Sequence, residues 1–118
     1  VRKLPSKIDS QMLKGVLTGS ILSLLSKEEL YGYKLSERLS EYGFTNISNG
    51  TIYPLLLTLE KKKLIIGNMR PSENGPMRKY YSITAEGLEE KQKFITQWKT
   101  LSTSVNQLIE RNERNEDE

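Results

Sequence analysis

The sequence predicts a mainly α fold with a small β-hairpin: three short helices, the hairpin, then one long helix toward the C-terminus. Two observations predict it. Apolar residues recur at helical spacing in separate stretches before Leu64 and after Thr84. Between Leu64 and Ile83 the pattern changes to two short β-type runs around a Pro/Gly/Asn cluster.

Residues 1–6 read as a short arm, with Pro5 limiting helix there. The first helix is expected over Ile8–Ser26, where Leu13, Val16, Leu17, Ile21, Leu24 and Leu25 share a face. Gly15 and Gly19 lie inside this pattern. Each costs about 1 kcal/mol of helix stability relative to Ala, which suggests a close packing contact. Lys27–Leu30 reads as a turn. A second helix is expected over Tyr31–Glu41, with Leu35, Leu39 and Tyr42 as its apolar stripe and Gly43 as its stop. After a short loop, Ser48 suits an N-cap. The third helix then shows Ile52, Leu55, Leu56 and Leu59 at i, i+3, i+4 and i+7. Pro54 lies within it and would crowd the carbonyl of Gly50, so an irregular first turn is expected. Leu64–Arg70 and Met77–Ile83 read as strands, joined by a tip at Pro71–Pro76. Thr84 caps the fourth helix, and Glu86 in its first turn favours the helix dipole. Three helices followed by a hairpin form the winged helix-turn-helix plan. The expected organisation is therefore a winged domain over residues 1–83, a dimerisation helix over 84–111 and a polar, flexible tail over 112–118.

Composition excludes several classes of function. Without Cys there is no disulfide, thiolate metal site or cysteine nucleophile. Without His the commonest general base and metal ligand are missing. No phosphate-cradling Gly loop or spaced carboxylate pair compensates, so no catalytic centre, metal or cofactor is expected. The longest early apolar run, Gly15–Leu25, is broken by Thr18, Ser20 and Ser23 and is too short for a bilayer. A soluble, cytoplasmic protein is the expectation. Charge is uneven: residues 1–83 carry 13 Lys and Arg against 7 Asp and Glu, while residues 84–118 carry 5 against 8. A basic front with an acidic rear suits a domain that meets phosphate at one end, although a solvated surface gives the same count.

The sharpest constellation lies on the third helix and the hairpin. In the winged plan the third helix enters the major groove and the hairpin flanks it. Ser48, Asn49 and Thr51 offer short polar groups there, and Gly50 permits close backbone approach. Tyr53 can reach the DNA backbone with its hydroxyl, and Asn49 suits the two-bond contact to adenine. Arg70, Arg78 and Lys79 surround a Gly/Pro tip fit for a minor groove. Lys61 heads a run of three lysines that serves either phosphate or the negative end of the helix dipole. Ser48 acts as a cap, a DNA contact or both. Tyr80-Tyr81 alternates faces, which puts one ring in the core.

These residues, in this order, resemble the PadR-like transcriptional regulators. The resemblance covers Leu13 to Gly87. It rests on Leu30-Tyr31-Gly32-Tyr33 with Leu35, on Ser48-x-Gly50-Thr51-Ile52-Tyr53-Pro54-Leu55-Leu56, on Leu59-Glu60-Lys61, and on Arg78-Lys79-Tyr80-Tyr81-x-Ile83-Thr84-x-Glu86-Gly87. One C-terminal helix makes the chain similar to the short subfamily. The resemblance implies a homodimer on an inverted-repeat operator, repressing detoxification or multidrug-export genes. It assigns Ser48, Gly50, Thr51 and Tyr53 to the recognition helix, and Arg78 and Lys79 to the wing. Lys63 departs from the family pattern, which frequently has Gly there.

The fourth helix carries a stripe of Leu88, Ile95, Trp98, Leu101 or Ser102, Val105 and Leu108 or Ile109 with no evident partner in so small a domain. Pairing with a second copy buries it. Trp98 has two readings: an anchor of the dimer interface, or the wall of a central pocket for a small aromatic effector, joined by Met12. The second follows from the resemblance, because multidrug-binding family members stack flat drugs on a tryptophan in a similar position. The alternative class is a winged-helix module that binds protein rather than DNA. The basic wing and the polar start of the third helix argue against it.

Overall fold

The computed structural model describes residues 10–116. The expected arm, the helix start at Ile8 and the last two residues of the tail lie outside them. In order come α1 (Ser10–Leu25), β1 (Leu30–Tyr31), α2 (Gly32–Glu41), α3 (Asn49–Lys61), β2 (Ile65–Ser72), β3 (Gly75–Ile83) and α4 (Ala85–Glu116).

The core forms where α1, α2, α3 and the sheet meet. Leu17, Ile21 and Leu22 of α1, Leu35 and Leu39 of α2, and Ile52, Leu56 and Leu59 of α3 are all buried there. Ile65 and Tyr81 close it from the sheet. Burying one such side chain stabilises the fold by about 1.5–3 kcal/mol. Two expectations about the apolar faces change. Leu22 belongs to the core, whereas Tyr42 is 74% exposed and only flanks α2. The suspected close contact exists at Gly19, where an added Cβ would run into the Phe94 ring of α4. At Gly15 it does not exist, because nothing lies within 4 Å of such an atom.

The turn expected at Lys27–Leu30 ends in a strand that the sequence pattern does not announce. Leu30 pairs with Tyr81 and Tyr31 with Tyr80, which places β1 against β3 in a sheet of order β1-β3-β2. Two residues are too few to display a period of two. The strand consequently holds the start of α2 against the hairpin.

Both α2 and α3 end in the same backbone motif. Phe44 and Gly43 amides donate to the carbonyls of Leu39 and Ser40. The Leu64 and Lys63 amides donate likewise to Leu59 and Glu60. This is the Schellman termination, which needs a left-handed residue just beyond the cap. Gly43 supplies it with φ of 99°, and Lys63 does so with φ of 61°. Lys63 thus stands in left-handed backbone at the position where the resemblance leads one to expect Gly.

α3 runs without interruption through Pro54, and its first turn is tightened where the Thr51 amide donates to the Ser48 carbonyl at 3.0 Å. The hairpin is longer than expected. Its ladder runs from Ile65↔Ile83 to Ser72↔Gly75, and only Glu73 and Asn74 form the turn. The register shifts between Arg70 and Ser72, so Pro71 sits at an irregularity where its missing amide costs no ladder bond. The Ser72 hydroxyl donates to the Pro76 carbonyl at 2.7 Å and closes the tip. Thr84 caps α4 as expected: its hydroxyl oxygen accepts from the Gly87 amide at 3.0 Å. α4 then continues as one helix to Glu116. Residues 112–116 are therefore helical, in place of the flexible tail expected from their polarity. Glu113, Arg114 and Glu116 are residue types that support helix as readily as a solvated coil.

Candidate nucleic-acid interface

The start of α3 is open. Ser48 occupies the cap position in extended backbone, but its side chain makes no capping bond. Its hydroxyl instead lies 3.3 Å from that of Thr51. The capping role expected of its side chain is therefore not observed. The Ser48 side chain caps none of the first-turn amides, although the Thr51 amide donates to the Ser48 backbone carbonyl at 3.0 Å; the positive end of the helix dipole there favours a phosphate or base acceptor. Ser48, Asn49, Gly50, Thr51, Tyr53 and Lys61 are all exposed. The Asn49 side-chain oxygen Oδ1 accepts from the Ser36 hydroxyl of α2 at 3.4 Å.

Tyr53 links α3 to the rest of the site. Its ring lies against Gly32, the first residue of α2, where any Cβ would collide with it. Tyr53, Tyr31 and Gly32 line one cleft together with Arg78 and Lys79 of β3 and the core Tyr81. Gly32 thereby acquires a physical reason that its place in the motif alone did not supply.

The hairpin divides its cations between two faces. Cross-strand partners share a face, so Arg70 and Arg78 stand together with Tyr80 on one side, and Lys79 and Tyr81 stand on the other. On the first face Arg78 lies 4.4 Å over the Tyr31 ring, and Arg70 lies 5.1 Å over Tyr80. Tyr31 and Tyr80 meet edge to face at 5.3 Å. Arg70 also donates to both carboxylate oxygens of Glu29 at 2.8 Å. On the second face Lys79 donates to Glu60 of α3 at 2.9 Å. That hydrogen bond raises the Lys79 ammonium above its ordinary pKa. Burial raises the Tyr81 phenol, against the opposing pull of Lys79. Among the described residues Arg78 is engaged by an aromatic ring and no carboxylate, whereas Arg70 and Lys79 are each engaged by a carboxylate. Glu60 enters the sequence reading only as part of the Leu59-Glu60-Lys61 motif and Glu29 not at all, and neither pairing is legible there, because partners 41 and 19 residues away leave no local signal.

α4 exposes its expected stripe. Trp98 is 46% exposed, and Leu88, Leu101, Val105, Leu108 and Ile109 are open as well. Ile95 is partly covered. Met12 of α1 is also exposed. Among the described residues no cluster of His, Cys, Asp or Glu is arranged to hold a metal. No described helix is long and apolar enough to cross a membrane.

Comparison with known proteins places these features in one lineage. Residues 21–93 match the profile of the transcriptional regulator PadR-like family. The chain is similar to a PadR-like transcriptional regulator from Bacillus cereus, with 55% identity, 85% of this chain and 97% of that one covered, and a TM-score of 0.77. A Streptococcus transcriptional regulator shares 49% identity over 85% of this chain and 98% of its own, at a TM-score of 0.76. An Eggerthella lenta regulator of the same family shares 34% identity over 85% and 87% of the two chains, at 0.74.

Proposed function

Since the chain belongs to the PadR-like family of transcriptional regulators, and is a DNA-binding regulator rather than an enzyme, we propose that it is a dimeric repressor in the cytoplasm. Its operator is an inverted repeat, and its regulated genes serve detoxification or multidrug efflux. The observation that carries the DNA-reading surface is the cleft shared by Tyr53, Arg78 and Lys79. It brings Tyr53 of α3 beside two of the hairpin cations, which supports reading α3 and the hairpin as parts of one DNA-reading surface.

On this reading the open first turn of α3 enters the major groove. Ser48, Asn49, Gly50 and Thr51 approach base edges and phosphate, and Tyr53 donates to the backbone. Lys61 lies at the far end of the same helix, and Arg70, Arg78 and Lys79 supply the wing cations. Two copies related by a two-fold axis cover the exposed stripe of α4, with Trp98, Ile95, Leu101 and Val105 at the seam. They present two α3 helices to half-sites about one helical turn apart, or a multiple of it. A small aromatic effector binding beside Trp98 and Met12 relieves repression if it favours the dimer whose half-site spacing is wrong for DNA.

Fluorescence anisotropy with labelled duplex, across a salt series, tests the surface. Replacing Arg78 with Gln is expected to weaken binding to all sequences and to flatten the slope of log K against log salt by about 0.9. An unchanged slope removes Arg78 from the phosphate contacts. Failure of the folded dimer to bind any duplex favours the protein-binding alternative.

A further inference from the structure

We infer that Glu60 and Glu29 are affinity-limiting residues: they occupy Lys79 and Arg70 in competition with DNA phosphate and so restrain sequence-independent binding. The inference rests on the DNA-reading surface proposed above. The resemblance names Arg78 and Lys79 alike and leaves Arg70 outside its motif, but the surroundings of the three wing cations divide them differently. Arg78 lies on the Tyr31 ring, which positions the guanidinium without neutralising it. Lys79 and Arg70 are each neutralised by a carboxylate at hydrogen-bond distance.

The Lys79 contact is built into the backbone. Its stem crosses β2 over Gly67, where an added Cβ would collide with Lys79 Cε and stand 3.1 Å from Glu60 Oε2. Any larger residue at position 67 would push the lysine off this path. Glu60 belongs to α3 and Lys79 to the wing, so the pair also links the two halves of the surface. Glu29 immediately precedes β1 and reaches Arg70 in the same way. Both pairs are exposed to solvent, with side-chain accessibilities of 43% and 44% for Arg70 and Glu29, and 41% and 25% for Lys79 and Glu60. Exposed pairs are weak. They are strong enough to tax a non-specific phosphate contact and weak enough to yield where base contacts fix the register. Specificity is a difference of affinities, and a carboxylate that lowers the sequence-independent part raises that difference.

The test measures binding of the full chain to a labelled duplex of arbitrary sequence between about 50 and 200 mM salt. Glu60→Gln is expected to tighten binding about two- to fivefold, the range an exposed ion pair supports. It should also steepen the log–log salt slope by about 0.9 as Lys79 turns to phosphate. Glu29→Gln should act alike through Arg70. Glu86→Gln controls for bulk charge, because Glu86 lines the same surface hollow as Glu60 and has no lysine partner among the described pairs. In a Lys79→Gln background Glu60→Gln should do no more than the control. The inference is overturned if Glu60→Gln matches Glu86→Gln, or if its gain persists without Lys79. If the wild-type protein binds no duplex at low salt, the DNA-reading surface itself fails, and the inference with it.

Discussion

Lys63 carries a conformation that its side chain does not favour. Its φ of 61° closes the α3 terminus, and left-handed backbone costs a residue with a Cβ about 1–2 kcal/mol. Lys63→Gly is therefore expected to raise stability by about 1 kcal/mol. A denaturant titration checks this, and a loss would mean that the lysine compensates through contacts of its own. The sequence marks Lys63 as a departure from the family pattern, but the backbone angle that gives the departure a cost appears only in the fold. Ser48 shows the opposite limit. Its residue type and position read as a side-chain cap, yet its hydroxyl turns to Thr51. Rotamer choice between two nearby oxygens is not written in residue order. For Tyr53 sequence and structure point the same way, and Gly32 explains where the ring fits. Tyr53→Phe keeps that packing and removes only the hydroxyl. DNA affinity should fall about five- to thirtyfold, corresponding to about 1–2 kcal/mol, with an unchanged denaturation midpoint.

Periodicity makes elements readable and fails where they are short or polar. α1, α2 and α3 follow from their spaced Leu and Ile residues, and the Thr84 cap follows from one residue. β1 has two residues and escapes notice. The end of α4 is polar and reads as a frayed tail, although it remains helical to Glu116. The two glycines of α1 separate by their surroundings in a way the sequence does not express. Gly15→Ala is expected to stabilise by about 0.5–1 kcal/mol, since it gains helix propensity in open space. Gly19→Ala is expected to destabilise by about 1–3 kcal/mol, because the Phe94 ring must move. Paired thermal melts check the contrast. The sheet also predicts a pH effect. Lys79 and Tyr81 both have folded-state pKa values raised above their ordinary ones. Their stabilisation is complete below the unfolded-state values, near pH 10. It is lost as pH rises through the folded-state values, so stability should decline on the alkaline side of that point.

The described residues form an elongated body, with extents of 63 × 34 × 21 Å, and α4 is its longest element. The exposed Leu88, Trp98, Leu101, Val105, Leu108 and Ile109 of α4 are the physical basis for the proposed dimer. Trp98→Ala is expected to weaken that dimer by about 2 kcal/mol, roughly thirtyfold in dissociation constant, if Trp98 anchors the seam. Analytical ultracentrifugation measures it, and an unchanged constant would leave Trp98 to the effector pocket alone. Titration of planar aromatic compounds against Trp98 fluorescence addresses that second role. Operator sequence and regulated genes lie beyond the fold, because base preference depends on the DNA and on half-site spacing set by two copies together. Recovery of sheared genomic DNA by the purified protein, with non-specific competitor present, examines both at once. A DNA-reading dimer should enrich a few promoter fragments that share an inverted repeat. Uniform, weak and salt-sensitive recovery by folded, dimeric protein would contradict a sequence-specific regulator built on α3 and the wing.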